Sequence, residues 1–193
     1  MKEFIRVEIE KAIQLYQAIS TDQTLLTQVE QSATMIVSAM RSGNKLLIAG
    51  NGGSAADAQH IAGEFVSRFH FDRPGLPAIA LTTDTSILTA IGNDYGYEKV
   101  FSRQVQALAK TGDVLMVIST SGNSQNVLAA IDAAKLAGVS IIGLTGEAGG
   151  KMASLCDICL RMPSKETPKI QEGHILVSHI ICGLVEATMF TRP

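Results

Sequence analysis

The chain has 193 residues, 46% of them hydrophobic, and its 18 acidic and 16 basic side chains give a formal net charge of -2 at pH 7. This balance argues against a nucleic-acid partner, because proteins that bind DNA or RNA concentrate lysine and arginine on one face. A chain of this length buries roughly 70% of its unfolded surface without a disulfide or metal to stabilise it. We therefore predict one domain over residues 1–193.

Neither a membrane span nor a secretory signal is evident in the sequence. The longest apolar-rich run, residues 173–185, contains two histidines and is shorter than the roughly 20 residues that cross a bilayer. Charged residues interrupt the N-terminal segment, so it lacks the apolar stretch of a signal peptide. The chain has three cysteines, an odd number that does not suggest a disulfide framework. We expect a cytoplasmic protein with no membrane partner.

The first 43 residues predict two helices. Apolar residues recur at helical spacing in the first helix, and the second spans residues 23–41 and ends before Gly43. The remaining residues, 44–193, alternate short apolar runs with helical patterns. Branched, apolar runs of this kind are typical of parallel strands covered by helices on both faces. We predict an α/β core with five strands, over residues 45–49, 78–81, 113–119, 139–144 and 157–162, and a last helix over residues 168–189.

In such sheets ligands bind beyond the carboxyl ends of the strands. The loop after the first predicted strand, residues 50–54, is here called the glycine loop. Its glycines allow a ligand to approach the backbone, and Ser54 is placed to cap a helix whose free N–H groups attract an anion. Its spacing also matches a dinucleotide fingerprint, but Asp84 lies well beyond the position where that motif needs an acid. The loop fits either a binding role or a tight turn that only starts a helix.

Residues 119–124, here called the serine loop, follow the third predicted strand and precede a helix from Gln125. Four hydroxyl groups and a glycine at a helix N-terminus exceed what capping needs, so they predict a phosphate site. A nucleotide triphosphatase is not expected, because the lysine of its phosphate-binding motif is missing. Asn93 and Asp94 follow an apolar turn after the second predicted strand. They could reach the same edge of the sheet or form an ordinary loop.

Two predicted helices carry polar groups at helical spacing. Asp57, His60, Glu64 and Arg68 share one helix face, which suits either a solvated surface or a metal-chelating pair at His60 and Glu64. The last helix carries Gln171, Glu172, His174 and His179 among apolar residues. Gln171 and His179 lie about 12 Å apart along a helix axis. They would meet at one ion only by reaching toward each other or by coming from different subunits.

Three of these motifs together closely resemble the phosphoheptose isomerases, which are sedoheptulose 7-phosphate isomerases of the SIS (sugar isomerase) family. The motifs are residues 50–60, the serine loop, and residues 170–172 with His174 and His179. The resemblance covers nearly the whole chain and is weakest in the first helix. It implies the SIS fold, a flavodoxin-like three-layer sandwich with a five-stranded parallel sheet and an N-terminal helical pair.

The family activity implied is the conversion of D-sedoheptulose 7-phosphate to D-glycero-D-manno-heptose 7-phosphate by a cytoplasmic homotetramer. This aldose–ketose isomerisation proceeds through an enediol and begins the synthesis of ADP-heptose for lipopolysaccharide core or capsule. The partners implied are therefore a sugar phosphate substrate and further copies of the chain.

The resemblance also implies a role for each matching position. The residues implied to hold the phosphate are Ser119, Thr120, Ser121 and Ser124. Those implied around the sugar are Asn51, Gly52, Gly53, Glu64, Asn93, Asp94 and Gln171. One Zn²⁺ ion per subunit is implied, with His60, Glu64, Gln171 and His179 as ligands. The implied base and acid are Glu64 and His179, with Asp57 as a further catalytic group. Zinc ligation and proton transfer use the same lone pairs, so these roles compete.

Two positions depart from the family pattern. Gly63 stands where relatives often have a second acid, and Lys169 stands where an arginine usually precedes Ile-Gln-Glu. Lysine cannot make the forked contacts of arginine, so one charge contact near the site is in question. One alternative stays open, a non-enzymatic tetramer that resembles the DnaA initiator-associating protein. That relative shares the glycine and serine loops but lacks counterparts of Glu64 and His179.

Overall fold

The computed structural model describes residues 1–192, and within them helices alternate with strands as the sequence predicts. Two N-terminal helices precede five strands; α-helices follow the first, second, third and fifth strands, and the last of these helices is long. The elements are α1 (Lys2–Thr21), α2 (Gln23–Arg41), β1 (Leu46–Gly50), α3 (Gly53–Val66), β2 (Ala78–Ala80), α4 (Thr85–Tyr95), α5 (Ser102–Leu108), β3 (Val114–Ile118), α6 (Gln125–Leu136), β4 (Ser140–Gly146), β5 (Ile158–Met162) and α7 (Thr167–Met189).

The junction between the first two helices is made by Asp22. Its extended backbone ends α1, and its carboxylate accepts a hydrogen bond of 3.0 Å from the Leu25 N–H in the first turn of α2. A capping aspartate at this position satisfies a backbone donor that the helix itself leaves unpaired. The chain therefore turns from one helix to the next within a single residue.

The five strands form one parallel sheet in the order β2-β1-β3-β4-β5. The central strands β1 and β3 pair from Leu46 with Val114 to Gly50 with Ile118, and every residue of both strands is buried. Burial on both faces explains why these strands read as continuous apolar runs rather than as alternating patterns. The prediction of a five-stranded parallel sheet is confirmed, with strand ends shifted by two residues at most.

Helices cover both faces of the sheet and give the three-layer architecture. On one face α7 packs against α1, α2 and α3, with Ile61 and Val177 in the shared core. On the other face α5 and α6 pack together, with Val105 and Ile131 in a second core. The chain leaves β1 toward the first face and β3 toward the second. The adjacent ends of these strands therefore border a crevice of the kind in which α/β proteins bind ligands.

Three local expectations from the sequence are wrong. Ser54 does not cap α3, because the cap residue is Gly52, with φ at +56°, and Ser54 lies buried inside the helix. Asn93 and Asp94 lie in the last turn of α4 rather than after a turn. Arg68 lies beyond Val66, the last residue of α3, so it does not extend the helical stripe. Among the described residues, no helix combines the length and apolar character needed to cross a membrane.

Candidate active site

The glycine loop brings the backbone of β1 tightly into α3. A Cβ at Gly50 would lie 2.7 Å from the Ser54 carbonyl oxygen, so a larger residue would not fit this turn. At Gly53 a Cβ would lie 2.6 Å from the Gln171 Nε2 atom on α7. Glycine is therefore required for packing at position 50, where the contact is with backbone, whereas at position 53 a larger residue would displace the end of the Gln171 side chain. The second contact also places the Gln171 carboxamide at the N-terminal end of α3.

The serine loop gathers three of its four hydroxyl groups at the start of α6. Ser119 Oγ lies 3.0 Å from Ser124 Oγ and 3.5 Å from Ser121 Oγ, and the Ser121 hydroxyl accepts a 3.2 Å bond from the Asn123 N–H. Ser124 is the N-cap residue of α6, so this cluster lies where the helix dipole and the first N–H groups favour an anion. The arrangement suits the binding of a phosphate group.

The loop after β4 packs against the serine loop and hydrogen-bonds to its backbone. Gly122 has φ at +65°, and a Cβ there would overlap the Gly149 carbonyl oxygen. The Gly122 carbonyl accepts a 3.1 Å bond from Met152 N–H, and the Thr120 carbonyl accepts a 3.0 Å bond from Gly146 N–H. Sequence analysis missed this support, although the Gly149-Gly150 pair signals a loop of unusual backbone conformation.

Three potential metal ligands converge between α3 and α7. His60 Nε2 lies 3.0 Å from Glu64 Oε1 and 3.3 Å from His179 Nε2, and the ligand atoms of all three residues lie within 4.8 Å of one another. His60 and Glu64 are four residues apart and so share a face of α3. The three groups meet within one chain. His179 therefore needs no second subunit to reach the other two.

This donor set fits a zinc ion. Two imidazoles and one carboxylate are a recurring ligand set of catalytic zinc sites, which leave a further position open to water or substrate. Asp57 lies one turn before His60, and its Oδ2 atom is buried without a hydrogen-bond partner in the described residues. Burial raises the pKa of Asp57, while the nearby His60 and His179 act in the opposite direction. Asp57 therefore interacts electrostatically with both rings, without a hydrogen bond to either one.

A buried ion pair holds α3 and α7 in this arrangement. The Glu186 carboxylate accepts bonds from the Phe69 N–H (2.9 Å), the His70 N–H (2.7 Å) and the Arg73 Nε (3.1 Å). Arg73 also donates to the Glu64 carbonyl oxygen at 2.7 Å. Both side chains of the pair are almost completely buried. The segment after α3 is thus attached to α7 two turns beyond His179.

Lys169, which stands where the family usually has an arginine, forms ion pairs with Glu172 and with Glu8 on α1. Lys169 is buried at the start of α7, and its ammonium group lies 2.9 Å from Glu172 and 3.5 Å from Glu8 on α1. The hydrogen bond to Glu172 raises the pKa of Lys169. The residue joins the N-terminal helix to α7. The other departure, Gly63, is exposed on α3 with open space around a Cβ.

The structure also places two residues at the site that sequence analysis did not select. Asn126, in the first turn of α6, exchanges two hydrogen bonds with the Asn51 carboxamide, and the Tyr97 hydroxyl donates to Asn51 Oδ1 at 3.1 Å. Asn126 is a polar residue within the otherwise apolar, buried face of α6, which is a signal that the sequence does carry.

Asn93 is exposed, and its amide bonds to Asp94 at 2.8 Å; Asp94 also borders an apolar cleft between α4 and α5.

Comparison with known proteins agrees with this fold. A family model described as SIS domain matches residues 9–146, so the chain is a SIS-domain protein. The phosphoheptose isomerase of Aneurinibacillus thermoaerophilus is 60% identical over 190 residues, covering 98% of this chain and 96% of the relative. Within the SIS class, the chain belongs to the phosphoheptose isomerase family.

Solved structures of the family superpose on nearly the whole chain. Phosphoheptose isomerase GmhA from Neisseria gonorrhoeae has a TM-score of 0.91 at 43% identity, covering 96% of this chain and 98% of the other. A phosphoheptose isomerase from Francisella tularensis has a TM-score of 0.92 at 38% identity, with 96% and 97% covered. The predicted SIS fold and family are confirmed.

Proposed function

We propose that this chain interconverts D-sedoheptulose 7-phosphate and D-glycero-D-manno-heptose 7-phosphate. The observation that carries the proposal is the convergence of His60 and Glu64, on the helix that begins at the glycine loop, with His179 on α7. The serine loop, which is our proposed phosphate site, follows β3, and β3 pairs directly with β1. Family membership supports the same reaction.

The substrate phosphate is assigned to the serine loop and the sugar to the crevice beside it. Hydroxyl groups and helix N–H groups donate to phosphate oxygens without needing a lysine. The residues proposed for the phosphate are Ser119, Thr120, Ser121 and Ser124. The residues proposed around the sugar are Asn51, Gly52, Gly53, Glu64, Asn93, Asp94 and Gln171.

The reaction moves one proton between carbon atoms and one between oxygen atoms. In the ketose-to-aldose direction a base removes a proton from C1, an enediol forms, and a proton is delivered to C2, while the O1 proton is lost and O2 gains one. We assign the carbon-bound proton to Glu64 and the oxygen-bound protons to His179. We propose Asp57, whose pKa is raised by burial, as a further group that supports both transfers.

We also propose one Zn²⁺ ion per subunit, held by His60, Glu64, His179 and Gln171. The first three residues already converge, and the Gln171 side chain lies against Gly53 at the start of the same helix. A bound zinc would supply Lewis acidity that polarises and orients the sugar oxygens. Glu64 would then act in proton transfer through the lone pairs that it does not use for the metal.

Self-association into a homotetramer is proposed from the surface of α1. Four apolar side chains of this helix, Ile5, Ile9, Ile13 and Tyr16, are between 43% and 56% exposed. Such a stripe on a helix buries well against copies of itself, and Ile180 and Leu184 extend exposed apolar surface along α7. We propose a helical tetramer core with active sites near the subunit boundaries. The three free cysteines are consistent with a cytoplasmic location.

The function is tested by incubating purified protein with sedoheptulose 7-phosphate and following aldose formation. We expect turnover by the wild type and at least a hundredfold loss in Glu64→Gln, in line with general-base catalysis. Glu30→Gln, an exposed change of the same kind on α2, should keep wild-type turnover. A wild-type protein that forms a stable tetramer but converts no substrate would instead favour the non-enzymatic DnaA initiator-associating type.

A further inference from the structure

The carboxamides of Asn51 and Asn126 form a reciprocal pair that joins the glycine loop to α6. Asn51 Nδ2 donates to Asn126 Oδ1 at 2.9 Å, and Asn126 Nδ2 donates to Asn51 Oδ1 at 2.8 Å. Asn126 is 3% exposed, so it contacts protein rather than solvent. The two residues are 75 positions apart in sequence. The pair therefore links the loop that follows β1 to the first turn of the helix that follows β3.

A backbone group determines which way both carboxamides face. The Val127 N–H donates to Asn126 Oδ1 at 3.0 Å. If Asn126 were turned over, its own NH₂ group would face this donor, and a buried donor would lose its partner at a cost of about 1–3 kcal/mol. With Asn126 fixed, Asn51 must direct its nitrogen toward Asn126 Oδ1. The Tyr97 hydroxyl, which donates to Asn51 Oδ1 at 3.1 Å, favours the same orientation.

This arrangement leaves Asn51 with one specific binding capacity. Its carbonyl oxygen has two lone pairs, and both are engaged, one by Asn126 and one by Tyr97. Its nitrogen carries two hydrogens, and one of them is engaged by Asn126 Oδ1. Asn51 therefore offers a remaining N–H donor and no remaining acceptor. A ligand in the adjoining crevice can hydrogen-bond to this group only with an acceptor atom, such as an oxygen of a sugar.

We propose that Asn126 is a positioning residue, which fixes the Asn51 carboxamide so that its second N–H donates to an oxygen of the bound sugar. The inference rests on the proposed function, because it assigns a means of recognition to that same site. Asn126 itself does not touch substrate in this scheme. Tyr97 also helps to orient Asn51, but its effect is smaller because the two hydrogen bonds between Asn51 and Asn126 remain when the Tyr97 hydroxyl is removed.

The test compares steady-state kinetics of Asn126→Ser with those of Asn44→Ser. Asn44 precedes β1 at the opposite end of the strand from the site, so its variant is a matched control that should keep wild-type kinetics. We expect Asn126→Ser to lower kcat/KM for sedoheptulose 7-phosphate about tenfold, as for the loss of one hydrogen bond to substrate. Competitive inhibition by inorganic phosphate should stay unchanged, because the serine loop binds the phosphate.

A double-variant cycle shows whether Asn126 acts through Asn51. In an Asn51→Ala background there is no carboxamide to orient, so adding Asn126→Ser should cause no further loss of kcat/KM. Independent, multiplicative losses would overturn the inference, as would an equal weakening of phosphate inhibition, since either result indicates general disturbance of the loops. If Asn126→Ser does not fold by circular dichroism, Tyr97→Phe on the surface replaces it, with an expected loss of about threefold.

Failure of the inference and failure of the proposed function give different results. A working wild-type enzyme whose Asn126→Ser and Tyr97→Phe variants have unchanged kcat/KM overturns the positioning role alone. A wild-type protein without turnover of the sugar phosphate overturns the proposed reaction, and the positioning role falls with it.

Discussion

The Nε2 atoms of His60 and His179 lie 3.3 Å apart, although 119 positions of sequence separate the two residues. They meet because α3 and α7 run side by side in the same direction. Gly53 contacts Gln171 at one end, and the segment after α3 contacts Glu186 at the other. Metal binding should therefore depend on residues from both helices.

We expect purified wild-type protein to contain about one zinc per chain, and His179→Ala to lose most of it, because His60 and Glu64 would then be joined only by the neutral carboxamide of Gln171. Metal content is measured by mass spectrometry after dialysis without chelator. His70→Ala removes an exposed imidazole outside the three-residue cluster and should retain the metal. Equal zinc in both variants would show that the ion binds elsewhere.

Gly122→Ala should weaken phosphate inhibition by at least tenfold. A side chain at this position meets the Gly149 carbonyl and must adopt a positive φ, so the serine loop has to move. The variant is compared with Gly63→Ala, where α3 has open space and alanine is expected to add about 0.5–1 kcal/mol of stability. If phosphate inhibits Gly122→Ala as strongly as the wild type, the serine loop does not bind the phosphate.

Glu186→Gln should lower the free energy of unfolding by about 3 kcal/mol at pH 7, because it leaves the Arg73 charge buried without its partner. Urea unfolding measures the change. Burial alone would raise the pKa of Glu186, but the His70 and Phe69 N–H groups and Arg73 outweigh it and hold the pKa below its ordinary 4.5.

The stabilisation from Glu186 is therefore present above pH 4.5 and is lost as the pH falls below that value. The difference between wild type and Glu186→Gln should narrow accordingly at pH 3.5. A difference that stays constant with pH would mean that packing, not charge, explains the loss.

His174 predicts a second pH effect, at higher pH and with a separate cause. The residue is fully buried on α7, and burial lowers its pKa from 6.5 to about 4. Between pH 6.5 and about pH 4, His174 is protonated in the unfolded chain but neutral in the folded chain. The free energy of unfolding therefore falls as the pH falls through this range. Relative to wild type, His174→Leu should gain about 2 kcal/mol between pH 7 and pH 5, at roughly 1.36 kcal/mol per pH unit. Equal unfolding energies for the pair at both pH values would contradict this.

The sheet and most helices could be predicted from the sequence because their signals are local. The apolar runs predicted all five strands, and the predicted second helix, residues 23–41, has the same first and last residues as α2. The errors occurred where packing overrides local preference. Ser54 is a good capping residue, but Gly52 takes the cap because its positive φ is what the turn requires. Asn93 and Asp94 are common in turns, yet α4 continues through them and ends at Tyr95.

Parts of the site were also beyond sequence reasoning. The helical spacing of His60 and Glu64 was readable, but their distance from His179 depends on how α3 and α7 pack. Asn126 interrupts the apolar face of α6, which the sequence does show, but its pairing with Asn51 across the crevice is not readable from the sequence. Pairing between distant segments is set by tertiary contacts, for which a single sequence holds no distance information.

The parallel packing of α3 and α7 bears on how the protein matures on the ribosome. A nascent chain that has emerged through β5 already contains both loops, His60 and Glu64, but α7 is still to come. Until that helix arrives, the apolar surface that Val177 and Ile181 cover remains open to other chains. Docking of α7 would therefore end a period of aggregation risk and complete the ligand cluster in one step.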